Sequence, residues 1–125
     1  MNVIISVGWQ TNRNYNYTKT YHFNRAILWD LFDQFNWLDY NIPINSRTIS
    51  ILQDNLHEIE ENTRLTSATP SPEMLSLFNN FGYNIMGVRG DYKWTNNDIK
   101  NMHKLLGDIK RNRFKHDARI YLGGF

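Results

Sequence analysis

A glycine ringed by cations is the most chemically suggestive feature of the chain. It lies in the stretch Thr95 to Phe114, TNNDIKNMHKLLGDIKRNRF. Steps of three and four residues from Gly107 reach His103, Lys104, Lys110 and Arg111, and Lys100 lies one turn further on. A helical glycine costs about 1 kcal/mol relative to alanine, so something should compensate for it. The plainer reading is that another element packs closely there or the helix bends, the basic residues being only a solvated face; the functional one is that a phosphate-like group approaches the bare backbone among the surrounding donors. Arg113 continues the apolar stripe four residues beyond Ile109. That spacing predicts a charge at the edge of the core, held by an internal carboxylate or by an anionic ligand at the mouth of a cleft. Arg89 joins the same surface if the turn that carries it projects beside this helix.

Other constellations are weaker. Residues 87–90, GVRG, match the four-residue backbone clamp of one RNA-binding module, and Arg89-Gly90-Asp91 matches an adhesion tripeptide. The clamp joins two helices in that module, whereas strands are expected on both sides here, so a plain hairpin turn is the better reading. His57 and Glu61 share a helix face, but no third ligand accompanies them and no metal site is expected. The histidines at 22, 57, 103 and 116 have no recognisable nucleophile nearby, and the chain lacks a G-x-S-x-G elbow and a P-loop. No catalytic residue and no cofactor is therefore expected. The tyrosines of the second strand can serve either as core or as a stacking platform with Lys19 among them. Core is the preferred reading, because Val, Ile and Trp alternate on the strand opposite.

Composition narrows the partners. Cysteine is absent, which excludes disulfides and thiolate chemistry. The N-terminus MNVIISVGWQ lacks a basic n-region and a cleavage site, and no run approaches the roughly 18 apolar residues of a membrane span. A cytoplasmic protein with no membrane association is expected. Asparagine recurs throughout without forming a homopolymer, a coding bias common in phages and mobile elements. Residues 1–88 hold five Lys/Arg and eight Asp/Glu, a charge of −3, whereas residues 89–125 hold nine and four, or +5. The basic third points to an anionic partner, although the sequence pI of 8.9 is below that of a dedicated duplex-DNA binder.

These residues need elements to position them. Val3, Ile5, Val7 and Trp9 alternate with polar or small residues, and Tyr15, Tyr17, Lys19, Tyr21 and Phe23 do the same, which predicts a hairpin turning at TNRN. If each strand keeps one apolar face, paired indices sum to an even number and Trp9 lies opposite Tyr15 or Tyr17. Helical spacing then runs from an Asn24 cap through Ile27, Leu28, Leu31, Phe32, Phe35 and Leu38. DYNIPIN is expected to be a connector, and Ser46 the cap of a second helix with Ile49, Leu52, Leu56 and Ile59 inward and an acidic face outward. TRLTSATP reads as a linker, Ser71-Pro72 as the start of a third helix ending at Gly82, and YNIMGV with DYKW as a second hairpin. Thr95 and Asp98 predict a capping box for a helix over 96–114. Ala118, Ile120 and Leu122 predict an edge or closing strand.

The expected fold is one α+β domain over 1–125. A small, mainly antiparallel sheet, built from the N-terminal hairpin, the second hairpin and the C-terminal strand, is covered by about four helices. The expected function is a small non-enzymatic binding protein, of the kind a phage or mobile element directs against host defence in the host cytoplasm. Its ligand would be a nucleotide-type signal or nucleic-acid phosphates held by Arg89, Lys100, His103, Lys104, Gly107, Lys110, Arg111 and Arg113. One alternative is an inhibitor or adaptor of a host protein that uses Trp29, Trp37 and the acidic helix. Another is a small hydrolase or nuclease whose site is assembled from separate elements. The aromatic content leans toward a homodimer.

Overall fold

The computed structural model describes residues 2–36, 39–67 and 92–124, without side-chain detail at 65–67. Among these residues an open antiparallel sheet of five strands is joined by three helices, a mixed α+β arrangement. Strand β1 (Asn2–Thr11) is central. Along one of its edges lie β2 (Asn14–Tyr17) and then β3 (Tyr21–Asn24), and along the other lies β5 (Arg119–Gly123), itself flanked by β4 (Asn41–Pro43).

The register departs from the expected parity for a local reason. A two-residue turn at Asn12-Arg13 pairs Thr11 with Asn14, so β2 indices sum to an odd number and Trp9 faces Asn16, with Gly8 opposite Tyr17. Asn12 accommodates the turn with φ of 50°. Thr18 then donates to the Val7 carbonyl at 2.8 Å, and the Thr18–Thr20 segment absorbs one residue. In β3 the parity is even, with Val3 opposite Phe23 and Ile5 opposite Tyr21. The tyrosine run is thereby split. Tyr21 and Phe23 enter the core, while Tyr15 and Tyr17 stay exposed on the other face.

The helices differ from expectation in length. Only one turn forms after Asn24, as α1 (Ile27–Asp30). The Leu31 carbonyl is taken by the buried Asn55 side chain at 2.8 Å, and Asn55 also holds Gln34, so tertiary bonds replace further helical ones. Helix α2 (Ser46–Ser67) is capped by Asn45, not Ser46, because the Asn45 side chain accepts from the Thr48 amide at 2.9 Å. It runs through the start of the expected linker. Helix α3 (Asn96–Arg111) has the expected reciprocal Thr95–Asp98 box but stops three residues short of 114.

Within DYNIPIN, Asn41–Pro43 form a strand rather than a mere connector. Pro43 is tolerated because β4 is the sheet edge, and this makes β5 an interior strand, not an edge. Three helices are present among the described residues instead of about four. The expected helix over 71–81 and residues 83–91 of the second hairpin lie outside them, and Tyr92 to Trp94 are irregular rather than strand.

Val3, Ile5, Val7, Ile120 and Leu122 line the inner face of the sheet. Leu52, Leu56 and Ile59 from α2 and Met102, Leu105 and Ile109 from α3 complete the core. Two carboxylates among the described residues are buried with it. Asp30, whose position falls outside the apolar stripe from Ile27 to Leu38, is fully buried and accepts from the Trp94 indole N–H at 2.5 Å. Asp108 is the other. No helix among the described residues is long and apolar enough to cross a membrane.

Candidate functional site

Helix α3 distributes its cations over two rows. Lys100, Lys104, Gly107 and Arg111 follow one another at steps of four, three and four, while His103 and Lys110 lie on the flank nearest α2. The expected ring around Gly107 is therefore not one surface.

The α2 flank is electrostatically mixed. His103 Nε2 meets the Glu60 carboxylate, and both line a shallow depression of about 230 Å³ with Gln53, His57 and Lys110. Glu60 offsets the cations there, which disfavours an anion. Glu61, the expected partner of His57 in an i, i+4 pair, bonds instead to Arg64 at 2.7 Å. The Arg64 guanidinium holds the Glu61 carboxyl below the usual range, its hydrogen bond first and its charge second. Among the described residues no hydroxyl or thiol nucleophile lines this depression.

Two of the expected donors are committed locally. Arg111 folds back onto Asp108, and its Nη1 lies 3.2 Å from where a Cβ on Gly107 would stand. Among the described residues no other side chain or packed element comes within 4 Å of that point, so neither close packing by them nor an open backbone cradle accounts for the glycine. Asp108 also accepts from the buried Tyr21 hydroxyl of β3, which gives a Tyr21–Asp108–Arg111 chain. Burial, then the hydrogen bond to Asp108, pushes the Tyr21 hydroxyl well above its usual pKa.

Arg113 is not at the core edge. The helix has ended, Asn112 is the buried residue, and its side chain satisfies the Asp108 carbonyl at 2.8 Å. Arg113 instead lies over the ring of Phe114 at 4.6 Å, in the open. Arg89 lies outside the described residues.

Lys100 and Lys104 remain, and the fold gives Lys104 new neighbours. An open groove of about 320 Å³ separates α3 from the start of β3, lined by Lys19, Thr20, Tyr21, His22, Asn101 and Lys104. Among the described residues its lining holds cations and neutral donors, with no carboxylate. Lys19 sits over the Tyr21 ring at 5.4 Å, which steers its ammonium group to the groove. Lys19 and His22 were not among the expected ligands. The polar Thr18-Lys19-Thr20 interruption between two tyrosine runs was the available signal for them.

The outer face of the sheet is a second feature. Tyr15, Tyr17 and Tyr121 form an aromatic cluster, with Tyr17 and Tyr121 rings 5.3 Å apart and steeply inclined. Gly8 permits it, because a Cβ there would lie 2.8 Å from the Tyr121 ring and 2.9 Å from that of Tyr17. Asp117 accepts from the Tyr15 hydroxyl at 2.7 Å and from Arg119 Nε at 2.8 Å, and Arg119 reaches on to Asn41. These bonds, that of Tyr15 foremost, lower the Asp117 pKa, and Asp117 in turn raises that of Arg119. Burial, followed by the hydrogen bond to Tyr15, raises the Tyr121 pKa.

Comparison with known proteins adds nothing to this geometry: no family model, curated protein or solved structure matches the chain. No group of three or more metal-ligating side chains is assembled among the described residues.

Proposed function

We propose that this is a non-enzymatic binding protein whose ligand is anionic and lies in the groove between α3 and β3. The observation that carries the reading is the groove itself. Lys19, His22 and Lys104 arrive from separate elements to line one concave surface, without a carboxylate among the described lining residues. Lys100 extends the same row of α3 toward solvent. Point-charge lysines with flexible stems suit phosphate groups. In a cytoplasmic, phage-encoded setting, such a site would sequester a nucleotide-type signal or contact nucleic-acid phosphates.

The test is a titration of ATP and inorganic tripolyphosphate into the wild type and the Lys19→Glu/Lys104→Glu variant, at rising salt. Wild-type affinity should fall steeply with ionic strength. The variant should lose binding while keeping its circular dichroism, because both lysines are exposed. Equal binding by both proteins, or no salt dependence, refutes the reading.

One observation favours a second reading. Trp29 is 43% exposed beside Arg25, whose guanidinium lies 5.8 Å from its ring centre, and aromatic–arginine pairs of this kind anchor protein interfaces. Trp37, its expected companion, lies outside the described residues. A host-protein complex centred on Trp29 would respond weakly to salt and be lost in Trp29→Ala.

A further inference from the structure

We infer that the outer face of the sheet binds single-stranded nucleic acid, with bases stacking on the tyrosine cluster while the chain's phosphates run into the α3–β3 groove. This rests on the anion-binding reading of that groove and extends it from a charge to a polymer. The described helices all pack on the opposite face of the sheet, and Tyr15 and Tyr17 remain 42% and 55% exposed.

Three features select the ligand class. First, unpaired bases are the ligands that need several aromatic surfaces at once, and every base has a π-face to offer. Secondly, the two regions lie along the same edge of β1, the groove on the helix-bearing side and the tyrosines on the outer face. His22 lines the groove and pairs with Ile4 on β1, while Tyr17 pairs with Gly8 four residues along the same strand. These positions are separated by about 13 Å, a span suited to an oligonucleotide rather than to a free phosphate. Thirdly, the charges flanking the cluster suit a polyanion. Lys19 and His22 lie on one side, while Arg119 on the other is ion-paired with Asp117, which also accepts from the Tyr15 hydroxyl.

Gly8 gives the cluster its shape, since any side chain there displaces both overlying rings. That provides a variant which disturbs the platform without removing an aromatic group.

The experiment measures fluorescence anisotropy of labelled 12-nucleotide single strands, homopyrimidine and mixed, with a duplex of the same length and unlabelled inorganic polyphosphate as competitors. Wild type should prefer the single strand to the duplex. Tyr17→Ala, Tyr121→Ala and Gly8→Val should each weaken it on the order of tenfold. Polyphosphate affinity should stay unchanged in those three variants and be lost in Lys19→Glu/Lys104→Glu. Circular dichroism verifies that every variant is folded, and retained polyphosphate binding does so independently for Tyr17→Ala, Tyr121→Ala and Gly8→Val.

If single strand and polyphosphate bind alike and the tyrosine variants change neither, the groove binds anions and the stacking inference is wrong. If neither ligand binds, both readings fall. If Tyr17→Ala abolishes self-association or capture of a protein partner but not oligonucleotide binding, the face is a protein interface and the inference is likewise overturned.

Discussion

Replacing Tyr21 with Phe isolates the buried hydroxyl that links β3 to α3. The ring keeps its place, since it is 6% exposed and stacked near Phe23 at 6.5 Å. Only the donor to Asp108 is lost. Asp108 is itself 6% exposed, so water replaces that donor poorly. A hydrogen bond to a charged group contributes about 1.5–3 kcal/mol, and Arg111 retains the other carboxylate oxygen, so the expected loss is about 2 kcal/mol. The melting temperature should fall by about 8 °C for a domain of this size. Arg111→Ala removes the outer partner, whose side chain is 68% exposed, and should cost only about 0–1 kcal/mol. Urea unfolding with an unchanged m-value provides the measurement. Asp108→Leu in the Tyr21→Phe background should recover part of the loss, because no stranded carboxylate remains. A Tyr21→Phe cost below about 0.5 kcal/mol, or one no larger than that of Arg111→Ala, refutes the burial argument.

Further outcomes follow from other positions. The Tyr21 and Tyr121 hydroxyls are held above the ordinary value of 10.0, so above that pH the unfolded chain loses protons that the native state keeps. Native stability should therefore fall as pH rises past 10, less steeply in Tyr21→Phe, as read by urea midpoints across alkaline buffers. Gly107→Ala should stabilise by up to about 1 kcal/mol, because the added methyl meets only the movable tip of Arg111, and a thermal melt that showed destabilisation would reveal an unseen close contact. Thr95→Ala breaks the capping box and should cost about 1 kcal/mol by chemical denaturation. Asn55→Ala strands the Leu31 carbonyl and should cost about 1–3 kcal/mol, accompanied by faster amide exchange around Leu31 to Phe35.

Sequence alone determined the features that depend on local chemistry. The alternation of β1, the Thr95–Asp98 box, the α2 stripe and the short final strand each follow from neighbours two to four residues apart, and each is present. A turn within TNRN is legible too, but its length of two residues is not. A two-residue loop forces odd parity, and this turns Tyr15 and Tyr17 away from the core. Tertiary structure alone decided which polar residues are buried. Asp30 and Asp108 occupy positions that a helical wheel assigns to solvent, and their partners, Trp94 and Tyr21, lie 64 and 87 residues away. The same long-range pairing ended α1 early through Asn55 and recruited Pro43 into an edge strand against β5. It also divided the basic helix. Charge counting found the cations of α3, but only the placement of Glu60 against His103, of Asp108 under Arg111, and of Lys19 and His22 across from Lys104 separates neutralised charges from those facing a groove. Coulomb interactions depend on distance through space, and the sequence specifies that distance only within a turn or two of helix.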